Sequence, residues 1–286
     1  MFAYARPETL VDAFALLGAE PRARVLAGGT DLLVGVRKGT VVSPLLIDVK
    51  RVAELQGGIT ERDGMLRIGA GTVLTEVIAD QRVEEAHPAL VEAARVVGSI
   101  QIRNRATLAG NLCNASPAAD TVPPLLVAGA RLELAGPAGS RRVPLAVFLI
   151  GPGRNALEPA ELLTAIELPL AREAVGSAFQ RMTRRRGVDL ATVNLACAVT
   201  SDGVTRFAFG AVGPRALLAE DESGTLADGT ADPTAQDAII RRMTAAATPI
   251  SNVRASREYR EAMLVVLSRR ALRTARERLA EARRDG

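Results

Sequence analysis

A glycine pair between a short apolar run and a helix-like segment constrains the fold of this chain more than any other feature. Residues 24–27 predict a short strand, Gly28-Gly29 follows it, and residues 32–36 have the pattern of a helix. Apolar residues over 44–49 then predict a second strand. This order of elements predicts a small β-turn-α-β unit at the start of the fold.

The next part of the chain is predicted to form a second region that contains both strands and helices. The alternation over 64–71 predicts a strand, a helix is predicted from Thr75 to Asp80, and another lies over 88–97. Residues 107–134 combine short apolar runs with Asn, Ser, Pro and Gly, which predicts long loops of the kind that carry functional sites. Near the beginning, Gly18 is predicted to end a first helix.

The last third of the sequence predicts a different architecture. Three strand-like runs cover residues 178–183, 192–200 and 205–213, and the turn Ser201-Asp202-Gly203 joins the second and third runs as a hairpin. Apolar residues at four-residue steps then predict a long amphipathic helix over 255–284. Glutamates interspersed among its arginines indicate a solvated helix face.

Composition excludes several classes of protein. The chain has 286 residues, which corresponds to about two domains, and 48% apolar residues suffice for ordinary cores. A net charge of +4, 3% aromatic residues and the absence of Trp argue against a nucleic-acid binder. No secretory leader and no apolar window long enough to span a membrane are found, so we expect a cytoplasmic protein.

The sequence contains two cysteines, Cys113 and Cys197, and a single histidine, His87. An iron–sulfur cluster normally takes four thiolates and zinc takes three or four nitrogen or sulfur ligands, so this chain alone holds neither. His87 is followed by Pro88 and is interpreted as the end of a helix, which leaves no candidate base for a Ser or Cys nucleophile.

The Gly28-Gly29-Thr30-Asp31 segment has the composition of a phosphate-binding turn. Glycines let the main chain approach an anion closely, and the N–H groups at a helix start point toward it. Neither a Walker lysine motif nor a G-x-G-x-x-G motif is present. A purely structural glycine turn remains the alternative.

A second segment of the same kind, Thr107-Leu108-Ala109-Gly110-Asn111, is followed by the carboxylate of Asp120. Two such turns and a carboxylate that can accept hydrogen bonds from sugar hydroxyls suit a flavin dinucleotide. Taken alone, Asp120 would be interpreted as a helix N-cap or a loop carboxylate.

At these residues the sequence resembles the FAD-binding medium subunits of molybdenum hydroxylases, the family of carbon monoxide dehydrogenase and xanthine dehydrogenase. The resemblance covers essentially the whole chain and includes residues 27–31, 101–111, 114–120, 151–154, 161–163 and 253–260. It implies that a set of main-chain and side-chain groups lines the FAD pyrophosphate. These are Val25, Leu26, Ala27, Gly28, Gly29, Thr30, Asp31, Leu32, Thr107, Leu108, Ala109, Gly110 and Asn111.

The resemblance also implies that Asp120 holds a sugar or ribityl hydroxyl and that the main chain at Leu163 faces the flavin. It further implies that Arg181 is a cofactor-binding residue, at a position where the family usually has lysine. The implied fold is α+β: a two-part FAD-binding region of the vanillyl-alcohol-oxidase/PCMH type over 1–174, with subdomains at about 1–56 and 57–174. A three-stranded antiparallel sheet packed with helices follows over 175–286.

By the same resemblance the chain is a subunit that binds FAD non-covalently and carries no catalytic side chain of its own. A large molybdopterin-binding subunit and a small subunit with [2Fe–2S] clusters are the implied partners, in a dimer of heterotrimers with no membrane span. A free-standing FAD-dependent oxidoreductase of this fold, and an arginine-rich nucleic-acid or scaffold protein, are the competing hypotheses.

Overall fold

The structure is a computed structural model that describes residues 2–171, 173–185 and 187–285. Its strands are β1 (Ala3–Ala5), β2 (Arg24–Leu26), β3 (Leu45–Asp48), β4 (Ile59–Arg62), β5 (Met65–Gly69), β6 (Arg131–Gly136), β7 (Gly139–Pro144), β8 (Leu149–Gly151), β9 (Arg154–Asn155), β10 (Leu162–Pro169), β11 (Val175–Met182), β12 (Val193–Thr200), β13 (Thr205–Gly210) and β14 (Leu217–Asp221). Its helices are α1 (Leu10–Ala19), α2 (Leu32–Arg37), α3 (Leu74–Ala79), α4 (Gln81–Ala86), α5 (Pro88–Arg95), α6 (Ile100–Arg103), α7 (Leu108–Asn114), α8 (Val122–Val127), α9 (Leu145–Phe148), α10 (Pro233–Thr244) and α11 (Arg257–Asp285), with 3-10 turns at Val49–Arg51 and Ala53–Leu55.

The chain forms two units, each built from separate segments. The first unit contains Met1–Asp80, Ser99–Ala115 and Ala130–Leu168. The second unit contains the remaining segments, Gln81–Gly98, Ser116–Gly129 and Pro169–Gly286.

The first unit contains two main sheets. A three-stranded parallel sheet has the order β1-β3-β2, and a five-stranded sheet has the order β4-β5-β10-β6-β7. The predicted β-turn-α-β unit is confirmed, because α2 connects β2 to its parallel neighbour β3. In this register Leu26, the last residue of β2, pairs with Asp48, the last residue of β3.

The second unit is a four-stranded antiparallel sheet with the order β11-β12-β13-β14 and helices packed on it. Along β12 the larger apolar residues Val193, Leu195 and Val199 join the core with α10 and α11, while Ala196 and Ala198 alternate with them. Every residue of β12 except Thr200 is buried, which agrees with its nearly continuous apolar sequence. Helices α5 and α8 also pack on this sheet.

One glycine permits close packing of the long helix on this sheet. A Cβ added to Gly176 in β11 would overlap the carbonyl oxygen of Ala275 and lie 2.5 Å from the main-chain nitrogen of Leu279, both in α11. Glycine is therefore required where the strand and the helix approach each other most closely.

Three sequence predictions were wrong, each for a local reason. The second-unit sheet has a fourth strand, β14, a five-residue edge strand whose short apolar run at its start does not distinguish a strand from a helix. The region 107–134 contains helices α7 and α8 rather than long loops, because Thr107 caps α7 and Pro123 and Pro124 lie in the first turn of α8, where proline is tolerated. Gly18 lies inside α1, which ends at Ala19 with Glu20 as its C-cap.

Two other predictions are confirmed. The turn at Ser201–Gly203 joins β12 and β13 as an antiparallel hairpin, and the long C-terminal helix covers Arg257–Asp285. In the part of the chain that the structure describes, no helix is long and apolar enough to cross a membrane.

Candidate functional site

The turn between β2 and α2, residues Gly28–Asp31, presents unused main-chain donors. Two of its carbonyl groups accept hydrogen bonds from α2: Leu33 N–H donates to Gly29 O at 3.1 Å, and Gly35 N–H donates to Asp31 O at 3.0 Å. Among the described residues, however, the N–H groups of Gly28, Gly29, Thr30 and Asp31 have no protein acceptor. Successive free N–H groups of this kind form a concave binding site for an anion.

The Gly28–Asp31 turn packs directly against the chain that leads into the second glycine-containing segment. A Cβ added to Gly28 would overlap the carbonyl oxygen of Arg105 and lie 3.0 Å from the Cα of Ala106. The next residue, Thr107, is the N-cap of α7. The fold therefore brings together the two segments for which the sequence predicted a shared ligand, and glycine at position 28 is what lets them touch.

The second segment forms the first turn of α7. The hydroxyl of Thr107 accepts from Gly110 N–H at 2.9 Å, and the Thr107 carbonyl accepts from Asn111 N–H at 3.1 Å. Leu108 and Ala109 are buried. This helix start is thus capped and fixed by its own sequence, with Ala109 accommodated in the core.

Leu163, the remaining candidate of the first unit, lies on the five-stranded sheet. It belongs to β10 and is buried, and the pairing of β10 with β6 is irregular between Leu163 and Ala165. The neighbouring Thr164 carbonyl accepts from Ala70 N–H at 2.9 Å. Such an irregularity interrupts the regular ladder next to Leu163.

In the second unit, the buried Asp120 and Asn194 form a cluster with the partly buried Arg181, called here the Asp120 cluster. Asp120 Oδ2 accepts from Arg181 Nη1 at 2.6 Å, and Asp120 Oδ1 accepts from Asn194 Nδ2 at 2.8 Å. Arg181 also donates to the Val96 carbonyl at 3.2 Å. Burial raises the pKa of Asp120, against the opposing effect of the hydrogen bonds from Asn194 and Arg181. Arg181 and Asp120 therefore compensate each other's charge.

Sequence reasoning missed Asn194. Arg181 and Asn194 are direct neighbours across β11 and β12, and Asn194 is completely buried. A Cβ at Gly210 would overlap Asn194 Oδ1, so the strand beside it leaves room for the amide. A polar residue within the apolar run 193–199 was the signal that could have identified it.

Burial shifts the pKa values of both Cys113 and His87. Burial raises the pKa of the Cys113 thiol to about 12. Burial lowers the pKa of His87, at the N-cap of α5, to about 4, although a hydrogen bond with the main chain of Pro169 opposes this. The described residues also contain no group of three His, Cys, Asp or Glu side chains that could hold a metal ion.

The chain matches two family profiles in succession. The profile described as the FAD binding domain in molybdopterin dehydrogenase covers residues 1–171, and the CO dehydrogenase flavoprotein C-terminal domain covers residues 177–275.

Similar proteins were found along nearly the full length. The xanthine dehydrogenase FAD-binding subunit of Escherichia coli O157:H7 is 34% identical over 274 residues, which are 94% of each chain. The carbon monoxide dehydrogenase medium chain of Hydrogenophaga pseudoflava is 32% identical over 284 residues, 98% of each chain. A solved structure of the carbon monoxide dehydrogenase from that organism, which lacks the Mo-pyranopterin moiety of the cofactor, matches with a TM-score of 0.88 and 31% identity over 97% of this chain and 98% of the other. The chain therefore belongs to the family of FAD-binding medium subunits of molybdenum hydroxylases.

Proposed function

We propose that this chain is the FAD-binding electron-transfer subunit of a heteromeric molybdopterin hydroxylase or dehydrogenase. It holds the cofactor through which electrons pass from the [2Fe–2S] clusters of a partner subunit to an external acceptor. Membership of the medium-subunit family supports this role along the whole chain.

The observation that carries the proposal is the row of four free main-chain N–H groups at Gly28–Asp31. These donors suit the FAD pyrophosphate, because oriented amides bind an anion without needing a buried counter-charge. We assign the pyrophosphate to this turn together with the flanking residues 25–32 and the start of α7 at 107–111. The contact between Gly28 and Arg105 supports a joint role for the two segments.

The remaining assignments follow the family resemblance. Asp120 is proposed to hold a sugar or ribityl hydroxyl, the main chain at Leu163 to face the flavin, and Arg181 to act near the cofactor. Because Arg181 is paired with Asp120, its proposed effect on the flavin is that of a neutral pair rather than of a free cation. We also retain the division into a FAD-binding part, 1–174, and a C-terminal part, 175–286.

Bound FAD supplies the redox chemistry, and the residues of the chain bind it and shape its electrostatic surroundings. With two cysteines, the chain leaves the [2Fe–2S] clusters to a small partner subunit, and a large partner subunit holds molybdopterin. The proposed assembly is a dimer of heterotrimers in the cytoplasm.

Purification of the full chain tests the proposal. We expect a flavin absorption spectrum, and release of the flavin into the supernatant after acid precipitation, because the raised pKa of the partly buried Cys113 thiol makes it a poor nucleophile for covalent attachment. Flavin that stays with the precipitate would contradict non-covalent binding.

Co-expression with candidate partner subunits separates the proposed role from a free-standing flavoenzyme. Isolation of a complex that contains molybdenum and iron supports the subunit role. A yellow chain that associates with no partner and oxidises a substrate alone would favour the free-standing enzyme. A chain that contains no flavin would contradict both.

A further inference from the structure

The side chain of Lys50 contacts the main chain immediately before the Gly28–Asp31 turn. Its ammonium group donates to the carbonyl oxygen of Ala27 at 3.2 Å and lies 2.6 Å from Asp48 Oδ1. Ala27 directly precedes the four residues with free N–H groups. Lys50 therefore donates to the carbonyl group of the peptide unit that also contains the first free N–H, that of Gly28.

Asp48 holds this lysine in place. It is the last residue of β3 and only 3% exposed, and its carboxylate accepts from the Tyr4 hydroxyl at 2.5 Å and from the Lys50 main-chain N–H at 3.0 Å. Burial by itself raises the pKa of Asp48, but the hydrogen bonds from Lys50 and Tyr4 outweigh it and hold the pKa below its ordinary value. The carboxylate therefore stays charged and fixes the ammonium group at the end of β2.

The contact with Ala27 determines where the first free donor points. The Ala27 carbonyl and the Gly28 N–H belong to one planar, trans peptide unit and so point in opposite directions. Holding the carbonyl oxygen toward Lys50 turns the Gly28 N–H away from Lys50, and rotation of that peptide plane would replace a donor by an acceptor on the anion-binding side.

We propose that Lys50 is a positioning residue for the phosphate-binding turn: by bonding the Ala27 carbonyl, it keeps the Gly28 N–H directed at the anion. The inference rests on the proposed FAD function of the Gly28–Asp31 turn. It adds a residue outside both glycine-containing segments to the set that governs FAD affinity.

Lys38 provides a matched control, because Lys38 and Lys50 are the lysines of this chain and Lys38 is exposed. The full chain is freed of flavin and titrated with FAD, with quenching of flavin fluorescence as the measurement, for the wild type and for Lys50→Met, Lys50→Arg and Lys38→Met. Circular dichroism and melting of the flavin-free proteins verify that each variant is folded.

We expect Lys50→Met to weaken FAD binding about tenfold, which corresponds to roughly 1.4 kcal/mol. Lys50→Arg, which keeps a cationic donor, and Lys38→Met should stay within about threefold of the wild type. FAD affinity of Lys50→Met equal to the wild type would overturn the inference while leaving the proposed function intact. Equal loss in Lys50→Arg and Lys50→Met would also overturn it, because packing rather than the donated hydrogen bond would then be responsible. A wild-type chain that binds no FAD would overturn the proposed function and the inference together.

Discussion

The Gly28–Asp31 turn and the Asp120 cluster are both proposed to bind the cofactor, yet they differ in how their hydrogen bonds are used. The turn consists of main chain whose donors have no partner among the described residues. In the cluster, Asp120 is bonded to both Arg181 and Asn194. The difference supports the proposal that the turn receives an external anion, whereas the hydrogen bonds of the cluster are made within the second unit.

Removal of the central carboxylate should produce the largest effect on folding. Asp120→Ala leaves Arg181, whose side chain is only 13% exposed, without a counter-charge, so we expect the flavin-free protein to lose about 3 kcal/mol in its free energy of unfolding. Urea denaturation followed by circular dichroism measures this loss. The double variant Asp120→Ala/Arg181→Met leaves no buried charge and should recover at least half of it. An unchanged urea midpoint in the single variant would show that the cluster carries no stability.

Substitution in the Gly28–Asp31 turn, in contrast, should affect FAD binding more than folding. In Gly28→Ala the new Cβ collides with the carbonyl of Arg105 and separates the two segments, so we expect FAD affinity to fall about a hundredfold, or roughly 2.7 kcal/mol. Gly18→Ala, inside α1 and without a neighbour within 4 Å of the added Cβ, is the control and should bind FAD normally. Normal binding by Gly28→Ala would place the pyrophosphate elsewhere.

A fall in pH should lower the stability of the second unit because of His87. Its pKa is about 4 in the folded protein and 6.5 when exposed, so the unfolded chain takes up a proton first as the pH falls. Stability is therefore retained above pH 6.5 and lost between pH 6.5 and 4, by about 2 kcal/mol at pH 5. Urea titrations at pH 7 and pH 5 should show this loss in the wild type and a smaller one in His87→Gln. The same loss in both proteins would assign the acid sensitivity to other groups.

The smallest effect is expected on the flavin itself. Since Asp120 compensates Arg181, Arg181→Gln should shift the two-electron reduction potential by less than about 30 mV, which is roughly 1.4 kcal/mol. Arg185→Gln, at an exposed position, is the control. A larger shift in Arg181→Gln alone would mean that the Arg181 guanidinium acts as a free charge on the flavin. The Asp120 cluster would then interact with the cofactor directly, as is proposed for the turn.

Local sequence pattern was sufficient to predict those elements whose structure depends only on their own residues. The β-turn-α-β unit, the hairpin at Ser201–Gly203 and the long helix α11 were all predicted from periodicity and turn residues. The prolines of α8 were interpreted as loop residues because their position in a first helical turn depends on where the helix begins. The edge strand β14 is defined by its pairing with β13, which a single segment does not reveal.

The sequence was enough to identify residues of the candidate site, but not to predict how they are arranged. The two glycine-containing segments were identified from the sequence, whereas the reason for Gly28, contact with Arg105, exists only in the fold. Gly29 has a φ of +76°, but a Cβ there would face Leu26 and Leu33, so its substitution would disturb packing as well as binding. The pairing of Arg181 with Asp120 joins distant positions of the chain and had no local signal.

The segmented construction of the second unit has a consequence for synthesis on the ribosome. Helices α5 and α8 are translated before β11–β14, the sheet on which they pack. In α5, for example, Ala89 and Ala93 pack against Phe179 of β11, so they lack this partner until the C-terminal part has emerged. Ribosomes stalled after residue 168 should expose these helices to chaperones and proteases, and release of the C-terminal part should end that exposure.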